Sequence, residues 1–145
     1  MIRRFELRDL EEVLQIEAQA FPKSSYTREM FLHYYRVHPE TFLVFEEDRV
    51  WGYIIFKPDG HVISLAVAPP SRRRGVGRRL MEACGSVCRT GRLRVEVREG
   101  NTGAQSFYKS LGFQLKSRIP FYYGTEDAYV MEKKIESFGL PGRAD

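Results

Sequence analysis

"SLAVAPPSRRRGVGRRLM", residues 64–81, is the stretch on which the fold turns. An apolar run leads into a Pro-rich, Arg-rich turn, then Gly75-Val76-Gly77, then helical periodicity through Leu80. A helix that starts at the end of a strand gathers unpaired backbone N–H groups and the positive end of its dipole at one point, which suits an anion such as phosphate. Gly75 and Gly77 carry no Cβ, so an anion can approach the backbone closely. Arg72, Arg73 and Arg74 add charge and forked donors. Neither familiar phosphate loop fits. There is no G-x-x-x-x-G-K-[ST], and the dinucleotide fingerprint needs a glycine where Leu80 stands. The pattern is R-x-x-G-x-G.

Working outward, "HVISLAV" before this turn reads as a strand, following the runs "TFLVFE" and "VWGYIIFK". The short polar turns "EDR" and "PDG" between them predict an antiparallel meander. Upstream, "RRFEL" is a first strand. Asp9 with Glu12 three residues on predicts a capping box for a helix whose apolar face is Leu10, Val13, Leu14, Ala18 and Phe21. Thr27 can cap a second helix, "REMFLHYYRV", which Pro39 ends. Downstream, Val76, Leu80, Cys84, Val87 and Cys88 share one helical face, with Gly91 closing that helix. "RLRVEVR" alternates strictly, with Leu93, Val95 and Val97 on one side and Arg94, Glu96 and Arg98 on the other. "NTGAQSFYKSL" is a further helix with Gly112 at its C′ position, and "FQLKSRI" and "DAYVMEKKI" are final strands. The order β α α β β β α β α β β predicts an α+β class, mixed α/β layers with about seven mostly antiparallel strands and flanking helices.

The chain has 145 residues, 43% of them hydrophobic and 29% charged, with net charge +4. This predicts one domain over residues 1–135 and a frayed tail over 136–145. The basic balance points to an anionic ligand or an acidic partner, with nucleic acid as the rival. Against that rival, the aromatics do not interleave with the Arg run as a stacking platform requires. Cys84 and Cys88 form no disulfide framework, and the expected compartment is the cytoplasm. No apolar run reaches membrane-spanning length, and "MIRRFELRDLEEV" does not read as a signal peptide. The three His and two Cys lack the spacing of metal ligands, so no metal is expected.

Three segments in order carry a resemblance. "GHVISLAVAPPSRRRGVGRRLM" resembles the acetyl-CoA signature of the GCN5-related N-acetyltransferases, Q/R-x-x-G-x-G/A. "LRVEVREGNTGAQSFYKSLGF" resembles that family's later motif, and "FYYGTEDAYVMEKKI" resembles the ending of its protein N-terminal acetyltransferases, the RimI-type and archaeal subgroup. The resemblance covers residues 2–135. It implies acetyl-CoA as co-substrate, with pyrophosphate held by backbone N–H groups of Arg73, Arg74, Gly75, Val76, Gly77 and Arg78, beside Arg72. It implies that Leu65, Ala66 and Val67 pair with the pantetheine arm and offer an oxyanion-stabilising N–H. Asn101 would bond to the arm from the other side, and the strands of Val67 and Val95 would splay apart to admit it.

For catalysis, the resemblance assigns Glu96 as general base, directly or through water, and Tyr108 as the acid that protonates the thiolate. Phe21, Pro22, Tyr26, Tyr122 and Tyr123 would line the acceptor side. His61 and Ser64 could join a proton relay, with His61 read first as a strand-start residue. The first loop, "FPKSSYT", holds no carboxylate, so a base from that loop is not expected. It also has Lys23 where RimI-type proteins have tryptophan, so acceptor preference does not carry over. The implied reaction is direct acetyl transfer to a protein N-terminal α-amine, a ribosomal protein being one such acceptor, by a monomer or homodimer. A lysine or small-molecule amine acetyltransferase is the alternative within the fold, and a catalytically silent subunit is a further one.

Overall fold

A computed structural model describes residues 1–22, 24–69 and 75–135. Arg72, Arg73, Arg74, Lys23 and the tail over 136–145 lie outside the described residues. The chain divides into two compact units, Met1–Lys57 with Ile63–Cys84, and Pro58–Val62 with Gly85–Asp145.

The first unit carries β1 (Ile2–Arg4), a 3-10 turn (Leu7–Asp9), α1 (Leu10–Ala20), α2 (Arg28–Val37), β2 (Phe42–Glu47) and β3 (Arg49–Phe56). It also holds most of β4 (Val62–Val67) and of α3 (Val76–Val87). The sheet order is β1-β2-β3-β4, with β1 antiparallel to β2 and β2 to β3. Its core gathers Val13, Ile16, Phe31, Phe42, Val44, Tyr53 and Ile55. Phe5 stacks on Phe42 at 4.1 Å, and Phe31 meets Tyr53 edge-on at 5.4 Å. Thr27 caps α2 as expected, its Oγ1 accepting the Met30 N–H at 3.2 Å.

The structure overturns two readings of α1. Asp9 does not cap it: the carboxylate accepts the Glu6 N–H at 2.8 Å and a forked pair of bonds from Arg3 at 2.8 and 2.9 Å. Glu12 instead accepts the Val50 N–H at 3.2 Å. A bidentate guanidinium outbids a single backbone N–H. The buried face is also rotated, comprising Leu10, Val13, Ile16 and Glu17 and leaving Ala18 exposed. A glutamate enters that face because both of its oxygens find donors there, as described below.

The second unit carries β5 (Arg92–Arg98), α4 (Thr102–Ser110), β6 (Gln114–Ile119) and β7 (Ala128–Lys134). The order is β5-β7-β6, antiparallel throughout, with Glu96 opposite Val130 and Arg98 opposite Ala128. Leu93, Val95 and Val97 are buried, while Arg94, Glu96 and Arg98 take the other face. Gly91 does not close α3, which stops at Val87. The chain leaves the helix because the Arg89 N–H turns to the Pro58 carbonyl at 2.9 Å. Cys88 therefore lies beyond the helix, its thiol donating to the Arg92 carbonyl at 3.3 Å, while Cys84 is fully buried as expected. Among the described residues, no helix is long and apolar enough to cross a membrane.

Candidate active site

The second unit brings together titratable side chains of β5 and of the turn at Gly60. At Gly60 the chain has φ +96, and a Cβ there would sit 1.9 Å from the Arg92 carbonyl oxygen. Only glycine permits both the left-handed turn and this approach. The Gly60 carbonyl accepts the Arg94 N–H at 2.9 Å, and His61 bridges Arg94 in parallel. That register brings His61 Nε2 to 2.7 Å from Glu96 Oε1, both side chains being less than one-fifth exposed. Arg94 Nε lies 3.5 Å from the other Glu96 oxygen. Burial would raise the Glu96 carboxyl, but the His61 bond and charge, joined by Arg94, bring it below its ordinary value. Glu96 is thus an ionised acceptor, and His61 Nε2 must carry the hydrogen between them. In the neutral ring this leaves Nδ1 as a lone-pair acceptor. His61 Nδ1 is buried and has no hydrogen-bond partner among the described residues. An unsatisfied buried nitrogen of this kind marks a candidate proton-transfer site.

On the same face, the Arg98 guanidinium lies over the Tyr123 ring at 4.1 Å. Glu126 accepts the Gly100 N–H at 2.6 Å and an Arg98 bond at 3.3 Å. This pins the 121–126 loop to the turn after β5. Burial and the adjacent Tyr122 push the Tyr123 phenol up to about 12, so it stays a donor. Tyr122 meets Tyr123 edge-on at 4.9 Å and is half-exposed. Tyr108 is the buried member of the Phe107–Tyr108 pair, packed edge-on against Phe113 at 5.3 Å. Asn101 caps α4, its Oδ1 accepting the Ala104 N–H at 2.9 Å, which leaves Nδ2 as the side chain's donor group.

The first unit holds the strand, the helix start and the first loop. Along β4, Ser64 and Ala66 are buried while Ile63, Leu65 and Val67 are half-buried on the other face. Gly75 has φ +76, with no atom of the described residues within 4 Å of where a Cβ would stand, and its carbonyl accepts the Arg79 N–H at 3.0 Å. The N–H groups of Val76, Gly77 and Arg78 precede that first helical bond, with Gly77 buried and Arg78 exposed. A cradle with no Cβ at a helix start fits an anionic phosphate group.

Phe21 and Tyr26 pack against the core, and Pro22 is exposed. Tyr26 is also held by Glu17, whose Oε2 accepts its backbone N–H at 2.8 Å. Sequence reasoning looked for carboxylates within the loop and passed over Glu17, one turn before it. The available signal was a glutamate on the buried stripe of an amphipathic helix. His61 was weighed only as a possible relay, because its contact with Glu96 depends on the turn at Gly60.

Residues 10–113 match the acetyltransferase (GNAT) family. The chain is 36% identical to an uncharacterized N-acetyltransferase of Methanocaldococcus jannaschii, covering 92% of this chain and 91% of that one. It is 32% identical to an N-alpha-acetyltransferase of Sulfurisphaera tokodaii, covering 90% of each. It is also 32% identical to a putative ribosomal protein bS18-alanine N-acetyltransferase of Bacillus subtilis, covering 90% and 92%. Among solved structures, Ard1 from Thermoplasma volcanium superposes with a TM-score of 0.83 at 34% identity, covering 94% of this chain and 97% of that one.

Proposed function

The chain belongs to the acetyltransferase (GNAT) family, and from that premise we propose that it acetylates the N-terminal α-amine of a protein or peptide. Relatives named as N-alpha-acetyltransferase and as ribosomal-protein-alanine acetyltransferase support this acceptor class. The observation that carries the reading is the His61–Glu96 pair with its unpartnered Nδ1. An N-terminal amine has a pKa of about 7.7–8.0, so most of it is protonated near neutrality and must lose a proton before it can attack. His61 Nδ1 takes that proton, directly or through a water. Glu96 fixes the tautomer and the orientation of the ring. This assigns Glu96 the role of orienting the base, because a carboxylate held below its ordinary pKa is a poor proton acceptor.

Acetyl-CoA supplies the acyl group as a thioester. The helix start at Gly75–Arg78 holds phosphate, and backbone N–H groups at Leu65–Val67 stabilise the developing oxyanion. Asn101 Nδ2 orients the arm, and the Tyr108 hydroxyl delivers a proton to the departing sulfur. Phe21, Pro22, Tyr26, Tyr122 and Tyr123 shape the acceptor side, with Tyr123 donating from its protonated phenol. We place the protein in the cytoplasm, where the free thiols Cys84 and Cys88 persist.

The test is an incubation with acetyl-CoA, peptides with free N-termini, N-blocked peptides bearing lysine, and polyamines, read by mass spectrometry. Acetate on the α-amine is the expected result. Acetate confined to ε-amines or polyamines would overturn the acceptor assignment.

A further inference from the structure

Glu17 is a buried carboxylate that the chemistry above leaves unused. It is 1% exposed, in the last turn of α1. Its Oε2 accepts the Tyr26 N–H at 2.8 Å, and its Oε1 accepts the hydroxyl of Tyr53, a fully buried side chain of β3. The Tyr53 oxygen also lies 2.8 Å from Ser64 Oγ on β4. Tyr53 has one hydrogen and spends it on Glu17, so Ser64 must donate to Tyr53. The chain Ser64–Tyr53–Glu17–Tyr26 is therefore directed. It runs from the strand that carries Leu65–Val67 to the loop that carries Phe21, Pro22 and Tyr26, all within the first unit.

Burying a carboxylate among Val13, Ile16, Phe31 and Tyr53 is costly unless each oxygen is bonded. Burial indeed raises the Glu17 carboxyl above its ordinary value despite the two donors. A hydrophobic residue of similar size would fill the space at less cost. What it could not do is hold the Tyr26 backbone. Other ties of the loop among the described residues include the Phe21 N–H to the Glu17 carbonyl at 2.8 Å, the Ser24 N–H to the Phe21 carbonyl at 3.2 Å, and the Tyr26 ring against Phe31 at 5.6 Å.

We propose that Glu17 is a positioning residue for the acceptor, tying the loop of Tyr26 to β3 and, through Tyr53, to β4. The proposal rests on the acceptor reading given above. Glu17 touches neither acceptor nor acyl donor, so its signature is a split between binding and turnover. Glu17→Ala removes the anchor. It should raise the peptide KM by about tenfold, leave the acetyl-CoA KM unchanged and alter kcat little. Glu17→Gln should rescue. Its oxygen takes the Tyr26 N–H, its amide donates to the Tyr53 oxygen, and Tyr53 turns its hydrogen to Ser64. Tyr53→Phe cuts the link to β4 and should raise the peptide KM as Glu17→Ala does.

Amide exchange at Tyr26, read without substrate, should speed up in Glu17→Ala and stay slow in Glu17→Gln. If Glu17→Ala fails to fold, the Gln and Phe variants carry the same test. Fast Tyr26 exchange with an unchanged peptide KM overturns the proposal. So does a Gln variant whose kcat collapses, since that would make the carboxylate a proton carrier. A wild-type chain that ignores N-terminal peptides yet protects Tyr26 sinks the acceptor reading, whereas active wild type with unaffected variants sinks the role of Glu17 alone.

Discussion

At Glu96 the charge was visible in the sequence, and its imidazole partner was not. Strict alternation in "RLRVEVR" places this glutamate on the polar face, and the structure puts it there with an imidazole 2.7 Å away. Two side chains that act as one unit lose activity non-additively. His61→Ala and Glu96→Ala should each lower kcat/KM by about a hundredfold, a common magnitude for a general base. The double variant should be no worse than about threefold beyond either single one. Multiplicative losses in steady-state assays would separate the two residues and return the base role to Glu96 alone. Tyr108→Phe should lower kcat with little change in the peptide KM, because it removes a proton donor and retains the ring packed on Phe113. Undiminished turnover would remove Tyr108 from the reaction.

Elements were the most legible scale. Among the described residues, the strands and helices follow from apolar periodicity and turn residues where one face is buried, which forces period 2 or 3.6; β6, exposed along its whole length, is the exception. The ends were legible only where a local group fixes them. Thr27 caps α2 within its own turn, so Thr27→Ala should cost about 1 kcal/mol, read from denaturant midpoints. Asp9 failed as a cap because Arg3 and the Glu6 N–H claim it. Gly91 failed as a helix stop because the Pro58 carbonyl draws the chain off earlier. At the start of α3, backbone geometry is proposed to outrank side-chain charge. Gly75→Asp puts a carboxylate and a strained φ into the cradle and should abolish CoA binding in calorimetry. Arg78→Ala, at an exposed position, should only weaken it. The reverse ranking would return this stretch to a plain basic patch.

Across the whole molecule, the buried acids give stability a pH signature. Burial would raise the Asp9 carboxyl, but Arg3 and the Glu6 N–H pull it below its ordinary value. Its stabilisation is present above the unfolded pKa and is lost as pH falls through the folded one. Glu17 is raised by burial. Its contribution is full below the unfolded value, about 4.3, and is lost as pH rises through the raised one. Between those two values, wild type should gain in melting temperature over Glu17→Gln as pH falls. A difference that stays flat with pH would mean Glu17 titrates normally.

The sequence by itself determined the family, the elements and the faces of the alternating strands, since motif order and periodicity are written along the chain; the buried face of α1 it did not. Only the tertiary structure decided which charges meet. Residues 61 and 96 are joined by a glycine turn, and 17, 53 and 64 by helix-on-sheet packing. Such pairings depend on distances that no linear spacing encodes, and they fix which of several plausible acids and bases is satisfied and which keeps an open valence.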